Sequence, residues 1–142
     1  MKQRGLAMNE RGVAAVEMAL ALPVLVVMLY MFVQLGEVYR AMSGIQQALG
    51  QGARYATLCL NPDNNGCQIP SGQAVHDEVM ASVYGIGPGS FSANVPTLQN
   101  DTVGTGHYYD LTVTYTQATT LLFFPGPTIN VSRSKRVWVA GS

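Results

Sequence analysis

The residues of this chain that could do chemistry are few and far apart. Glu17 is the only charged side chain in Val13–Val33, VAAVEMALALPVLVVMLYMFV. In lipid a carboxylate costs on the order of 3 kcal/mol at the centre of a span and less near the interface. Glu17 therefore either snorkels to the headgroups or pairs with a cation. Gly12 stands just before the apolar run. A cut between Gly12 and Val13 would create such a cation, the free amine of Val13, and make Glu17 the fifth residue of the shortened chain. Pairing is the favoured reading, because an ionisable group inside a span is by default a site.

The two cysteines, Cys59 and Cys67, enclose LNPDNNG. In an exported body they are expected to form a disulfide, which would stabilise it by roughly 2–3 kcal/mol through the short loop it closes. Asn61–Gly66 resembles the front of a calcium loop, but position twelve would be Gly72 rather than an acid, so turn chemistry is expected. His76-Asp77-Glu78 are consecutive on a predicted helix and point in different directions, which reads as a solvated face. His107 is isolated. No metal site, cofactor site or catalytic motif is expected, so the chain reads as a non-enzyme.

The element that positions Glu17 must be a helix. The 21 residues Val13–Val33 match the roughly 20 needed to cross about 30 Å of hydrocarbon, and lipid offers a single segment no other way to satisfy its backbone. Pro23 crowds the carbonyl of Ala19 and predicts a bend. Residues 1–12 form a leader with Lys2, Arg4 and Arg11 against Glu10, whereas Glu37 and Arg40 beyond the span cancel. The positive-inside bias places the N-terminus in the cytoplasm and the body across the membrane. The helix is expected to continue to Thr57 as an amphipathic extension, residues 34–57, with Leu35, Val38, Met42, Ile45, Leu49, Gly52 and Ala56 on its stripe. The rod would be roughly 65 Å long. Gly36, Gly44, Gly50 and Gly52 suggest close approach of a neighbour, either another stem or a sheet of the same chain.

Residues 58–142 leave room for one small extracytoplasmic α+β domain. A short helix over 73–84 would bury Val75, Val79 and Val83, with Asp77 and Glu78 suiting its dipole. Gly85–Gly89 is a loop and Phe91–Leu98 a weak edge strand limited by Pro96. Tyr109, Leu111, Val113 and Tyr115 alternate with polar residues over 108–117, the period of a half-buried strand. A second strand, 128–139, carries Ile129, Val131, Val137 and Val139 in phase, with Arg133 and Lys135 implying a bulge or a face that leaves the core. The pair is expected to cover the outer half of the long helix. The apolar connection Leu121–Pro127 could tuck over the core or lie open to a subunit or membrane. Net charge is zero, from 8 basic and 8 acidic residues, which argues against nucleic-acid binding, since that wants a basic face.

Arg11-Gly12-Val13-Ala14-Ala15-Val16-Glu17-Met18-Ala19-Leu20, then Leu22-Pro23, resembles the start of TadE-like pseudopilins of the tight-adherence (Tad, Flp-type) pilus. Gln34-Leu35-Gly36-Glu37 and Ala53-Arg54-Tyr55-Ala56 extend the resemblance. Met18 departs from the aromatic residue often found there. The resemblance implies a prepilin-peptidase cut between Gly12 and Val13, and a role for Glu17 in registering subunits. Implied partners are the inner membrane, other Tad pilins and pseudopilins, the prepilin peptidase and the pilus assembly platform. The sizeable body implies a minor subunit, because major subunits of this system are very short. The competing expectation is an uncleaved single-pass anchored binding module; a signal peptide fits less well, because the apolar run is long and no small-x-small site follows it.

Overall fold

A computed structural model of the chain describes residues 10–63, 66–102, 104, 106–122 and 124–139. It is an α+β fold built on one helix. Helix α1 (Glu10–Ala56) has 47 residues, about 70 Å at 1.5 Å per residue. It runs through Pro23 without interruption. A small hairpin, β1 (Asn61–Asp63) with β2 (Gly66–Gln68), follows, and then α2 (Gly72–Ser82). Strand β3 (Ser90–Ala93), the two-residue β4 (Gln99–Asn100), β5 (His107–Leu121) and β6 (Phe124–Val139) complete the chain. The tip of β1–β2, Asn64–Asn65, lies outside the described residues, as do residues 1–9 of the expected leader.

β5 is the centre of the sheet. β6 pairs with it antiparallel along its whole length, and β3 and β4 pair with separate stretches of it. The predicted edge strand is thus two short pieces around buried Pro96. Both long strands exceed the expected 108–117 and 128–139 and meet in a turn at Leu122. The register runs unbroken from His107↔Val139 to Ala118↔Thr128 and shifts only between Ala118 and Thr120. Arg133 and Lys135 therefore sit on no bulge. They are exposed opposite Val113 and Leu111, where the β6 face overhangs the helix.

The core lies between the outer half of α1, α2 and β5. Val75, Val79 and Val83 are buried as expected, with Tyr109, Leu111, Val113, Tyr115, Val137 and Val139 opposite them. On α1 the buried stripe is Val38, Ala41, Ile45, Ala48, Leu49, Ala53 and Ala56. Leu35, placed on the stripe by its spacing, is exposed instead. The small residues at 41, 48 and 53 let α1 approach its neighbours closely. A Cβ on Gly52 would run into the Val79 side chain, and one on Gly44 would meet Ile86 Cδ1 at 2.8 Å. The close neighbour of these two glycines is α2 and the loop after it, whereas Gly36 and Gly50 have nothing within 4 Å.

α2 begins at Ser71, whose hydroxyl accepts a hydrogen bond from Ala74 N–H, the usual N-cap arrangement. Its first turn holds no acidic residue. Asp77 and Glu78 come a turn too late for the expected dipole benefit, which fades beyond the first turn. Tyr109 donates its hydroxyl proton to Pro70 O at 3.0 Å, which ties the entry of α2 to β5.

Candidate functional site: the stem and its clamp

The inner part of α1 carries Gly12, Val13, Glu17 and Pro23 on one helix. From Gly12 to Val33 every side chain is exposed except half-buried Val27. The helix is long and apolar enough to cross a membrane, and the apolar window that qualifies it is 0 % buried by the rest of the chain. A core helix of a water-soluble fold would bury one face. Among the described residues Glu17 makes no ion pair or hydrogen bond.

At the outer end of this apolar segment sits a clamp that sequence reasoning missed. Gln34 is buried, 8 % exposed. Its Nε2 donates to Thr120 O at 2.5 Å and its Oε1 accepts from Thr120 N–H at 3.3 Å. The side-chain amide thus pairs with a β5 peptide much as a neighbouring strand would. Tyr30 and Thr120 share a hydroxyl–hydroxyl bond at 2.8 Å. One turn further out, Gln117 Nε2 donates to Glu37 Oε2 at 3.3 Å, Tyr115 donates to Gln117 Oε1 at 2.8 Å, and Gly89 N–H donates to the Tyr115 oxygen at 3.1 Å. Each polar group in this partly buried chain has a partner, the condition under which such groups are tolerated inside. The only signal available was the apolar-looking alternation of β5 continuing into Gln117 and Thr119 as polar residues.

The other sequence candidates resolve plainly. Cys59 and Cys67 are joined, with Cα atoms 5.2 Å apart. The bond and the Leu60 N–H to Gln68 O hydrogen bond, 2.9 Å, close the base of the β1–β2 hairpin. Asp77 accepts from Gln73 Nε2 at 2.9 Å and lies 3.0 Å from His76 Nδ1. The bond to His76, then that to Gln73, hold its carboxyl below the ordinary value. These groups lie on the α2 surface, away from the stem. On the outer face of the sheet Arg136 makes two hydrogen bonds to Asp110, at 2.9 and 3.1 Å, and stacks over Tyr108 at 4.1 Å. That pairing with Arg136 lowers the Asp110 carboxyl. Trp138 packs beside Tyr108, ring centroids 5.2 Å apart.

The class these features define is a small α+β body on a single apolar stem. Residues 12–54 match the family described as TadE-like protein. The match falls wholly within α1, from the glycine before the apolar run to Arg54, just short of the last buried residue, Ala56. It bears out the resemblance read from Gly12, Glu17, Pro23, Gln34–Glu37 and Ala53-Arg54. No curated protein and no solved structure matches the chain. Family and apolar helix together fit a Tad pilus-associated membrane protein.

Proposed function

We propose that this chain is a minor pseudopilin and assembly factor of a Tad-type pilus. It is held in the bacterial inner membrane by residues 13–33, with the N-terminus cytoplasmic and residues 58–142 as the extracytoplasmic domain. A prepilin peptidase cuts between Gly12 and Val13. The new Val13 amine of one stem then pairs with Glu17 of its neighbour. Two opposite charges in a dry bundle are tolerable only when matched, so the pair sets the axial register of stems as they leave the bilayer. Pro23 gives the stem a place to bend during that exit. Its partners are other Tad pilins and pseudopilins and the assembly platform.

The observation that carries this reading is the contrast within α1: Val13–Val33, which lies inside the segment matched by the family, offers Glu17 no partner among the described residues and exposes all its large apolar side chains but Val27, whereas Val38, Ile45 and Leu49 further along are buried. Glu17→Ala is expected to abolish incorporation into pili while leaving membrane insertion intact, read by comparing sheared pili with membranes. Normal piliation in that variant would overturn the registration role.

A further inference from the structure

The β5–β6 hairpin outruns the core it helps to form. Leu111 of β5 lies against the Gly52 level of α1, Gln117 reaches Glu37, and Thr120 reaches Gln34 and Tyr30. β5 thus runs back down the stem toward the membrane. Thr120 is fastened beside the last turn of the apolar segment that ends at Val33. The two residues from Thr120 to the turn carry the chain about 6 Å further in the same direction. A groove of about 390 Å³ lies between hairpin and stem, walled by Val27, Met28, Met31 and Phe32 on one side and Pro127 and Ile129 on the other.

The chemistry of this end is that of a lipid contact. The hairpin has no Asp, Glu, Lys, Arg or His between Asp110 and Arg133, and α1 has none between Glu17 and Glu37. The charge-free stretches of the two elements lie at the same level. Leu122 takes the left-handed conformation, φ +52°, and is 42 % exposed, at a position where glycine or asparagine would be at ease. Phe124 is 70 % exposed. Pro125 and Pro127 carry no N–H, so this end of the hairpin has two fewer backbone donors to desolvate. The remaining backbone of an open edge cannot enter hydrocarbon deeply, which sets the depth at the interface.

We propose that the hairpin tip, Leu122 and Phe124, is seated in the lipid interface of the leaflet on the body's side, beside the chain's own span, with acyl chains filling the groove. The body is then fixed to the membrane at two points, and leaving the bilayer requires withdrawal of the tip together with the stem. This rests on the reading of α1 as a membrane anchor.

The test uses the full chain in vesicles of phosphatidylcholine and phosphatidylglycerol whose acyl chains carry bromine at graded depths. Trp138, the only tryptophan, sits far from the tip and is the native reference. On a Trp138→Phe background, Phe124→Trp reports the tip and Leu25→Trp the span. The tip reporter is expected to emit to the blue of Trp138 and to lose intensity most with shallow bromines, the span reporter with deep ones, and Trp138 with none. An unquenched, red-emitting tip reporter beside a quenched span reporter overturns the inference alone. Blue emission without bromine quenching, rising with protein density, assigns the tip to a second copy and also overturns it. If the span reporter too is unquenched, the anchor reading fails and this inference with it.

Discussion

The two halves of α1 are one continuous helix made for different surroundings. The outer half is specified by its own chain: Ala41, Ile45, Ala48 and Ala56 are fully buried against α2 and β5. The inner half is larger in its side chains and more apolar, yet the described residues leave all of Val13–Val33 exposed except half-buried Val27. Apolar content therefore does not predict which half is buried. What separates them is where the small residues lie. Alanine and glycine at 41, 44, 48, 52 and 53 are cut to fit known neighbours, whereas the bulky run from Leu20 to Phe32 suits the irregular surface of acyl chains or other stems.

The sharpest way to break this comparison is to truncate one large side chain in each environment. Leu111→Ala removes a buried contact of the outer half and is expected to cost the body about 2–5 kcal/mol, read by chemical denaturation in detergent. Leu25→Ala, in the inner half, is expected to leave that transition unmoved. A shift at Leu25 equal to that at Leu111 would mean that the inner half packs on the body after all.

A smaller effect, of opposite sign at two glycines, sharpens the same point. Gly52→Ala forces a methyl into Val79, and overpacking costs roughly 1–3 kcal/mol, more than the helix propensity it gains. Gly36→Ala meets nothing and is expected to stabilise by up to about 1 kcal/mol. Thermal unfolding of the two variants should move in opposite directions.

The smallest effect belongs to the exposed face of the sheet. Arg136 lowers the Asp110 carboxyl in the folded state. The stability this linkage gives is present above the unfolded carboxylate value near 4 and is lost as pH falls through the lower folded value. Asp110→Asn should therefore flatten the acid limb of the stability profile between those values and leave stability near pH 7 little changed, because exposed pairs are weak.

Much of this arrangement was legible in the sequence. The long apolar helix, its amphipathic continuation, the valines of α2, the alternation of β5 and the Cys59–Cys67 bond follow from period, length and spacing. Gln34 was not legible, because its burial depends on a strand that returns 86 residues later. The alanine stripe was hidden behind larger neighbours such as Leu35 and Met42. The hairpin end was read as a connection because Leu121–Pro127 lies between the two alternating stretches and shows no alternation of its own. In the fold Pro125 faces Thr120, whose N–H and C=O turn to Gln34 rather than to β6. The missing N–H therefore costs the ladder nothing. The β1–β2 hairpin is only three residues on each side and is held by the disulfide, so no periodic pattern announces it.

The central claim is that Glu17 awaits the amine of a processed neighbour. The measurement that tests it most directly is the intact mass of the protein recovered from the membranes of its host. The account predicts a species that begins at Val13. A species that retains Gly12 and the residues before it would contradict the account, leave Glu17 without its partner, and favour an uncleaved anchored module.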